Sequence, residues 1–583
     1  MFFLFLLFLS FPPDWEEFER GLILEKEDPQ KAIEIYKKLE ISHGLVGILA
    51  NYKLVLLDEE NSYKWFLKIF KRNSPKDIIE ECYKILIERN EKNAINNFEN
   101  FKKKFSNKFR KKIEEKILLI MFQNTKDKIS FLSKVIGKND LAVLSISKFL
   151  LEEKIKIPKN YLMELFKIGL KLRDLKFCQD ILNVGLDIKN FKKNEVFFLG
   201  RYYFLKKDYQ KSFEYFDQLE DENSLFHKAR VLLFLNEEEK AIEVLKKIKN
   251  DLYSQAQYLM FRIKLKNGKM DIAKEILNNI KNKKIKRDAI LNLAIHYNFY
   301  AKQKEANELL NSIKENYEIK FWKQRINNKI QLNFNPKYAP FNYFFLEKFP
   351  EFQNTKMEFD LNFKPINFPQ FLISKGYFKE GLFFQSTLKF PTLFTAKLLM
   401  GQERYKEAIN LIYPEVLKTL KNEPENWNKE ILKIYFPKAY EEKLKNLCKD
   451  YGVSLNLFWA IMRQESLFEK YAISSEGAIG IMQVLPQNYL KYEEDLENPF
   501  EFEKNIKVSL KYLKNLKEIF ENWIYVIAAY NAGEEAVSLW LKDPITIDLP
   551  SFYSTIPYKE TKNYLKNVLF NWMVYNNLYG VEK

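Results

Sequence analysis

Cysteine and histidine are scarce in this chain. Its 583 residues contain three of each, namely Cys82, Cys178, Cys448, His43, His227 and His296. The cysteines follow no metal-ligand spacing and allow at most one disulfide, so buried free thiols are the simpler expectation. Histidines this few and this scattered support neither a zinc site nor a Ser-His-Asp triad. We therefore expect no metal and no cofactor.

Glycine is also rare, with 16 residues in the whole chain. Leu, Ile, Lys and Glu are abundant instead, and this composition predicts a mostly helical protein. The apolar content of 46% and the aromatic content of 16% exclude a disordered chain. A chain of this length exceeds one ordinary hydrophobic core, so we expect two to four domains, on the order set by typical domain sizes.

Long apolar runs are missing as well. A membrane-spanning helix needs roughly 20 apolar residues, whereas the N-terminal run MFFLFLLFLSFPPDW has about nine before the break at Pro12 and Pro13. The run resembles the apolar part of a secretory signal, but no Lys or Arg precedes it and no clear small-x-small cleavage site follows. A signal segment and an apolar N-terminal segment both remain open. We expect no stable membrane span.

A repeating helical pattern fills the chain from about Asp14 to Lys329. Several helices share a small residue flanked by Lys or Glu and by long aliphatic residues: Ala32, Ser212, Ala241, Ala273 and Ala306. The last four lie 29, 32 and 33 positions apart. This spacing is close to the roughly 34-residue period of tetratricopeptide helix pairs, although the fuller consensus is missing. The pattern predicts a degenerate helical solenoid in which each helix pair packs on its neighbours.

A change of composition follows at residues 331–370, which are rich in Pro, Asn and Phe. Such a stretch indicates a boundary between domains. The helical pattern resumes near Phe371 and includes a last repeat-like hairpin around Ala408. A further break lies at residues 422–430.

The most informative stretch runs from Trp459 to Gln483, WAIMRQESLFEKYAISSEGAIGIMQ. Leu457, Ile461 and Phe468 are spaced so that a helix buries one face. A turn-rich segment with two glycines follows and leads into Ile-Met-Gln. The pattern predicts a buried helix followed by a tightly folded turn.

Glu465 lies near the end of this predicted helix, with Met462 and Leu467 close by. A carboxyl group among apolar side chains has a raised pKa, because burial disfavours its charged form. Such a group holds a proton near neutral pH, as a general acid in sugar chemistry must. A solvated surface position remains the commoner environment for any single glutamate.

Four sequence blocks then occur in a fixed order. They are Gln464-Glu465-Ser466, residues 477–483, Ala529-Tyr530-Asn531-Ala532-Gly533, and residues 556–564, with a lead-in at residues 435–440. Together they resemble the catalytic domain of the soluble lytic transglycosylases, lysozyme-like enzymes that cleave bacterial peptidoglycan. The resemblance covers residues 435–578.

The resemblance implies an all-α protein with three parts. An N-terminal helical solenoid or superhelical ring would cover 14–330, a small linker domain 331–434, and a lysozyme-like catalytic domain 435–583, after a candidate signal segment at 1–13. Closure into a ring comes only from the resemblance, since helical repeats would equally give an open arc. The same resemblance implies a monomer in the periplasm or elsewhere in the cell envelope.

The implied reaction cleaves the β-1,4 bond between N-acetylmuramic acid and N-acetylglucosamine. Glu465 would act as acid and then as base, and the muramic 6-hydroxyl would close on the anomeric carbon to give a 1,6-anhydro product. The substrate's 2-acetamido group would replace a second protein carboxylate. Glu469 and Glu476 are the alternatives for that second carboxylate, and both fit solvated positions better.

The other matched positions are expected to bind substrate. Ser474 fits contact with the acetamido region and equally fits the start of a turn. The amide of Gln483 can bond both sugar and backbone, and Tyr530 is placed to orient the carboxyl or the acetamido group. Glu560 is expected to line the cleft, although its flanking lysines also permit a surface ion pair. Met482 is expected to pack beneath the site.

Charge is unevenly distributed. Residues 441–583 hold 16 Lys and Arg against 20 Asp and Glu, a net of −4, and the remaining residues carry a net of +21. A basic partner region would attract an anionic polymer such as peptidoglycan, and a generally lysine-rich composition explains the excess equally well. Nucleic acid is disfavoured because acidic residues are interspersed and no recognition motif occurs.

Two further hypotheses stay open at this point. A muramidase would let water intercept the same intermediate. A solenoid scaffold would bind glycan without cleaving it. Under each of these hypotheses, the solenoid offers a surface for other cell-wall proteins.

Overall fold

The computed structural model describes residues 14–42, 44–72, 74–186, 192–329, 368–383, 392–420, 427–474, 476–492 and 500–581. Within these ranges the regular structure is helical, and β pairing is limited to two isolated bridges, Ile473 with Ile479 and Ile479 with Val484. The predicted all-α class is therefore confirmed for the described residues. The candidate signal segment 1–13 and nearly all of the stretch 331–370 lie outside them.

Twelve α-helices precede residue 187 in the described part of the chain. They are α1 Trp15–Glu27, α2 Pro29–Leu39, α3 Gly44–Leu57, α4 Ser62–Lys71, α5 Lys76–Glu88, α6 Lys92–Asn96, α7 Phe98–Phe101, α8 Asn107–Gln123, α9 Lys128–Val135, α10 Asp140–Glu152, α11 Lys159–Lys171 and α12 Leu175–Asn183. Short 3-10 turns occupy Glu59–Asn61 and Lys102–Lys104.

Nine α-helices follow before residue 330. They are α13 Lys193–Leu205, α14 Tyr209–Asp217, α15 Glu222–Phe234, α16 Glu238–Leu245, α17 Tyr253–Lys266, α18 Met270–Asn279, α19 Lys283–Phe299, α20 Gln303–Asn311 and α21 Tyr317–Ile326.

The remaining described helices begin at Phe368. They are α22 Phe368–Ser374, α23 Phe378–Leu382, α24 Thr392–Gly401, α25 Tyr405–Thr419, α26 Lys429–Tyr435, α27 Glu441–Asp450, α28 Leu455–Ser466, α29 Pro486–Tyr492, α30 Phe502–Phe520, α31 Trp523–Ala532, α32 Glu534–Trp540, α33 Leu549–Thr555 and α34 Lys559–Tyr579, with a 3-10 turn at Pro544–Ile547.

The chain divides into two compact units. The first comprises Met1–Ile168 and Met357–Arg404, and the second comprises Gly169–Lys356 and Tyr405–Lys583. Each unit thus takes part of the region 331–434. The three-part division derived from the sequence stays a prediction.

The core of the first unit contains a buried lysine. Lys53 Nζ lies 2.9 Å from Glu380 and 3.1 Å from Glu25. Burial of the ammonium group opposes its charge, but the two carboxylates outweigh burial and raise the pKa of Lys53. Lys53 therefore ties α23 to the helices at the start of this unit, where Leu372 and Phe383 share the same apolar core.

Helical hairpins build the first part of the second unit. Helices α13 and α14 pack together, as do α15 with α16, α17 with α18, and α19 with α20. The small residues Ser212, Ala241, Ala273 and Ala306 are fully buried in these pairs, where they allow close approach of the helices. The helix pairs predicted from the repeat are therefore present here, while closure into a ring stays a prediction.

The turn inside each hairpin has the same construction. Arg173, Lys207, Asn236, Gly268 and Ala301 each have a positive φ at the end of the first helix of a pair. The next residue's amide then donates back to a carbonyl in that helix, as Asp174 does to Gly169 at 2.9 Å. This is a common way to end a helix with a left-handed residue. The spacing of these turns, 34, 29, 32 and 33 residues, extends the sequence repeat.

The C-terminal helices of the second unit surround α28. Leu457 and Ile461 on α28 are fully buried, and Phe468 is buried just beyond its end. Trp459 Nε1 donates to the carbonyl of Ala439 at 2.8 Å. The buried helix predicted from apolar spacing is therefore confirmed.

Polar contacts dock the hairpins onto these C-terminal helices. Arg325 makes two hydrogen bonds to Asp548 of 2.8 and 2.9 Å. Trp322 Nε1 donates to Ser554 Oγ at 2.9 Å. Apolar packing continues from α17 through to α34, so the helices from α17 to α21 share one core with the C-terminal helices.

The three cysteines are buried free thiols, as expected from their spacing. Among the described residues, no helix combines the length and the apolar character that crossing a membrane requires.

Candidate active site

Glu465 occupies the last turn of α28. The helix ends at Ser466, because Leu467 and Phe468 adopt positive φ values of 53° and 66°. Two successive left-handed residues other than glycine are costly, and such backbone is held in place only by its surroundings. Ser466 Oγ contributes by donating to the carbonyl of Ile481 at 2.7 Å. The end of α28 is thereby fixed against the segment that follows.

Glu465 is half-buried at the end of α28. Burial and, to a smaller extent, the negative charge of Glu560 raise its pKa, which lies at about 8 when all contributions are combined. The Tyr564 hydroxyl donates to Glu465 Oε1 at 2.5 Å and acts in the opposite direction, because it stabilises the carboxylate. The raised pKa predicted from the apolar neighbours is confirmed. At pH 7 the group is mostly protonated.

The segment after α28 folds back on itself through backbone bridges. Ser474 N donates to the carbonyl of Ala478, and Ala478 N donates to Ser474 Oγ, both at 2.9 Å. Ser474 therefore builds the turn, which is one of the two roles expected for it. Gln483 Nε2 donates to the carbonyls of Ala472 at 3.0 Å and Gly480 at 2.8 Å. The amide nitrogen of Gln483 is thus used by the backbone.

Asn505 on α30 holds this segment from the other side. Its Oδ1 accepts from Met482 N and its Nδ2 donates to the carbonyl of Ile479, both at 3.1 Å. Gly480 has a φ of +81°, and a Cβ there would lie 2.4 Å from Asn505 Nδ2. The close approach therefore requires glycine. Met482 is fully buried, as expected for a residue that packs beneath the site.

Tyr530 contacts the same segment from α31. Its hydroxyl donates to the carbonyl of Met482 at 2.9 Å. Burial, followed by the charge of Glu465, raises the pKa of Tyr530 well above its ordinary value. Tyr530 is therefore a neutral hydrogen-bond donor that supports the segment, and the charge of Glu465 contributes to its raised pKa.

Glu560 lies in the first turn of α34 and is exposed. Its neighbour Thr561 donates to Asn531 Oδ1 at 2.7 Å, which joins the last two sequence blocks. Lys562 binds Glu318 at 2.8 Å rather than forming a surface pair with Glu560. The negative charge of Glu560 contributes to the raised pKa of Glu465.

The two alternative carboxylates differ in environment. Glu476 is exposed, as expected, whereas Glu469 is half-buried and its backbone amide donates to Ser466 Oγ at 3.0 Å. Neither contributes to the pKa shift of Glu465.

Sequence reasoning missed the part played by Tyr564. It lies within the fourth block but received no role of its own. One signal was present, because residues 560 and 564 are four apart and therefore share a helix face. The contact with Glu465 joins residues 99 positions apart and could not be read from local pattern.

A large cavity lies beside the site in the second unit. It has a volume of about 1270 Å³ and is lined mainly by helices α15, α17, α19 and α21 together with α32 and α34. Nine lysines and arginines line it against four acidic residues. On α34 its lining includes Lys559, Lys562 and Lys566, whereas Tyr564 of that helix contacts Glu465. The cavity is therefore positive and adjoins the candidate site without containing Glu465.

Comparisons with known proteins point to the same region. Residues 444–546 match the family model described as Transglycosylase SLT domain. This range includes Glu465, Ser474, Gln483 and Tyr530, and it ends before Glu560.

The similar curated proteins match over a limited length. The soluble lytic murein transglycosylase of Salmonella typhimurium is 34% identical over 155 residues, which are 25% of this chain and 24% of that protein. That of Escherichia coli K12 is 33% identical over 144 residues, or 23% and 22%. The membrane-bound lytic murein transglycosylase C of Haemophilus ducreyi is 30% identical over 117 residues, or 17% and 32%. The chain thus covers about a quarter of the first of these relatives.

Two solved structures align over the full length at low similarity. The lytic transglycosylase Slt of Pseudomonas aeruginosa, an inactive mutant, aligns with a TM-score of 0.40 and 17% identity over 97% of each chain. The 70-kDa soluble lytic transglycosylase of Escherichia coli aligns with a TM-score of 0.42 and 14% identity over 96% of each chain. The sequence match, and not these structural alignments, identifies the C-terminal region: residues 444–546 are a transglycosylase SLT domain.

Proposed function

We propose that this chain is a peptidoglycan lytic transglycosylase. It cleaves the β-1,4 bond between N-acetylmuramic acid and N-acetylglucosamine and leaves a 1,6-anhydro end on the muramic residue. The observation that carries the proposal is the state of Glu465, whose pKa of about 8 keeps it protonated at neutral pH within an SLT domain.

The first step uses Glu465 as an acid. Its proton passes to the glycosidic oxygen while the bond from that oxygen to the anomeric carbon breaks, and positive charge develops on the sugar ring. The N-acetylglucosamine leaves with the proton. The hydroxyl of Tyr564, 2.5 Å from Oε1, stabilises the carboxylate that forms. Oxygen of the 2-acetamido group supports the anomeric carbon from the substrate's own side.

The second step uses the same group as a base. The carboxylate of Glu465 takes the proton of the muramic 6-hydroxyl, and that oxygen forms a bond to the anomeric carbon. The acid is thereby regenerated and no water is consumed. A single carboxyl is sufficient for this sequence, which agrees with the exposed position of Glu476.

We assign substrate contacts to four further residues. Ser474 Oγ accepts a backbone hydrogen bond and keeps one hydroxyl hydrogen to donate to the acetamido group. Gln483 offers its carbonyl oxygen to a sugar hydroxyl, since its nitrogen holds the turn. Tyr530 supports this turn through the carbonyl of Met482, and we assign it to orienting the carboxyl of Glu465 or the acetamido group. Glu560 lines the cleft beside Glu465.

Charge supports an anionic substrate. The stem peptides of peptidoglycan carry carboxylates, and the cavity beside the site has an excess of five basic side chains. Long-range attraction to such a surface raises the rate of association with a polymer of opposite charge. We place the protein in the periplasm or elsewhere in the cell envelope, because its substrate is there.

The larger organisation is part of the same proposal. We assign 14–330 to a solenoid, 331–434 to a linker and 435–583 to the catalytic domain, in a protein that acts as a monomer. The solenoid is the surface we assign to other cell-wall proteins.

Digestion of purified sacculi tests the proposal. Wild type should release soluble muropeptides, and Glu465→Gln should release about 10²–10⁴-fold less, the usual contribution of general acid–base catalysis. Glu469→Gln is the matched control, since it changes a nearby glutamate that has no assigned role, and it should retain activity. Release by Glu465→Gln at the wild-type rate would overturn the assignment. Binding to sacculi without release by wild type would support a glycan-binding scaffold instead.

A further inference from the structure

Three successive hairpin turns of the solenoid contact the SLT domain and the helices around it. The turn at Leu172 and Arg173 contacts Gly477, and the turn at Lys207 binds the start of α32. The third turn contributes Asn236, whose Oδ1 accepts from Lys542 Nζ at 2.8 Å. The first contact ends on the segment that carries Ser474 and Gln483, and the second ends directly after the block that contains Tyr530.

The first contact is apolar and close. Leu172 is buried, and a Cβ at Gly477 would lie 3.1 Å from Leu172 Cα and 3.2 Å from one of its methyl carbons. Beside it, Arg173 is attracted by the charge of Glu476. Gly477 N donates to the carbonyl of Ser474 at 3.2 Å, so this contact packs directly on the turn that Ser474 builds.

The second contact is polar. Lys207 Nζ lies 2.8 Å from Glu534 and 3.2 Å from Glu535. The hydroxyl of Tyr209 also donates to Glu535. The two glutamates occupy the first turn of α32, directly after the Ala-Tyr-Asn-Ala-Gly block, where negative charge is favourable.

Glu534 extends this second contact into the site. The Tyr512 hydroxyl donates to Glu534 at 3.5 Å, and the ring of Tyr512 lies 5.5 Å from that of Tyr530. Tyr530 in turn donates to the carbonyl of Met482. Both contacts therefore converge on the segment between Ser474 and Val484.

We propose that Leu172 and Lys207 are positioning residues of the active site, which act by holding the segment from Ser474 to Val484 in its substrate-binding geometry. They touch no reacting atom. The inference rests on the proposed function for its link to catalysis, whereas its structural part stands on the contacts alone.

Leu172 and Lys207 should contribute unequally to holding the segment in place. Leu172 is a buried apolar side chain, and its truncation removes packing that the surroundings cannot fully replace. Lys207 is about half exposed, and exposed ion pairs contribute little. Leu172→Ala should therefore have the larger effect, and removal of both Lys207 and the Tyr209 hydroxyl should exceed the effect of Lys207 alone.

The test measures backbone amide exchange and steady-state kinetics on the full chain. The variants are Leu172→Ala, Leu172→Met, Lys207→Ala, Lys207→Arg and the pair Lys207→Ala with Tyr209→Phe. Two controls match them. Leu245→Ala truncates a buried leucine within another hairpin, and Lys211→Ala removes a lysine of α14 that pairs with Asp208.

In Leu172→Ala we expect the backbone amides of residues 474–484 to exchange about tenfold faster than in wild type, or more. The KM for soluble glycan strands should rise about fivefold or more, as expected when binding groups are misplaced. Leu172→Met and Lys207→Arg should show the wild-type exchange rate and the wild-type KM. In the variant with both Lys207→Ala and Tyr209→Phe, the exchange rate and KM should rise about two- to fivefold, as expected for a partly exposed pair. The two controls should leave exchange at 474–484 and KM unchanged.

Equal exchange at 474–484 in Leu172→Ala and Leu245→Ala would overturn the inference. If Leu172→Ala does not fold, the variant with both Lys207→Ala and Tyr209→Phe provides the test, because it changes only partly exposed groups. Failure of the proposed function gives a different result, namely no lytic product from wild type while the exchange pattern persists.

Discussion

The hydroxyl of Tyr564 lies 2.5 Å from Oε1 of Glu465, and it donates a hydrogen bond to that carboxyl group. Burial alone would make Glu465 a weaker acid, and among the described residues the hydrogen bond from Tyr564 is the interaction that lowers its pKa. Tyr564 supplies that stabilisation at the oxygen where negative charge appears when the proton leaves. The pair thus combines a group that is protonated at rest with a donor that assists its ionisation.

Replacement of Tyr564 by phenylalanine should slow cleavage. A hydrogen bond to a charged group is worth about 1.5–3 kcal/mol, which corresponds to a loss of roughly 10- to 100-fold in kcat/KM. The pKa of Glu465 should rise further, because the bond that lowers it is gone. Tyr579→Phe is the control, since Tyr579 also lies on α34 but donates to the carbonyl of Phe436. Equal effects of the two variants would contradict the assigned role.

The pH dependence of cleavage should report the pKa of Glu465. The acid step needs the protonated form, so kcat/KM should fall as pH rises through about 8. Glu560→Gln should move this fall to lower pH, because the charge of Glu560 raises the pKa of Glu465. Glu518→Gln, an exposed change on α30, should leave the profile in place. A profile of Glu560→Gln that coincides with wild type would exclude the electrostatic coupling.

Stability should depend on pH through the same residue. The folded-state pKa of Glu465 lies above its unfolded value of 4.5, so the folded protein binds more protons between pH 4.5 and 8. Its contribution to stability is therefore complete below pH 4.5 and is lost as pH rises towards 8.

Glu465→Gln removes this dependence and should stabilise the protein more at pH 8 than at pH 4.5. The difference should be on the order of 4 kcal/mol, since about 3 of the roughly 3.5 pKa units of the shift act between these two pH values and one unit equals about 1.4 kcal/mol. Urea unfolding of wild type and variant at the two pH values measures it. A difference independent of pH would show that the carboxyl is solvated in the folded state.

Gly480 should be the least tolerant glycine of the site. Alanine there would place Cβ 2.4 Å from Asn505 at a φ of +81°, so we expect a loss of about 2–4 kcal/mol from strain and steric overlap. Gly137→Ala is the control, because Gly137 has a similar φ of +85° and open space around its Cβ position. It should cost about 1 kcal/mol. Similar losses in the two variants would indicate that backbone strain alone matters.

Local pattern was sufficient to predict the helices, the burial of α28 and the raised pKa of Glu465. Apolar spacing encodes each of these, because they depend on neighbours within one or two helical turns. The buried small residues of the hairpins follow from the same kind of repeat.

Contacts between distant parts of the chain were not accessible in this way. The bond from Tyr564 to Glu465, the pairing of Lys562 with Glu318 and the packing of Leu172 on Gly477 all depend on how helices are arranged in space. Gln483 adds a local example, since its positive φ of 50° and its two backbone bonds depend on the fold of the whole segment.

Cleavage of sacculi in ¹⁸O-labelled water, with mass spectrometry of the soluble products, tests the central claim most directly. Cyclisation through Glu465 predicts muramic products that lack one water relative to hydrolysis products and carry no ¹⁸O. These products should be missing from digests with Glu465→Gln. Products with a reducing end that carries ¹⁸O would contradict the account and identify a muramidase.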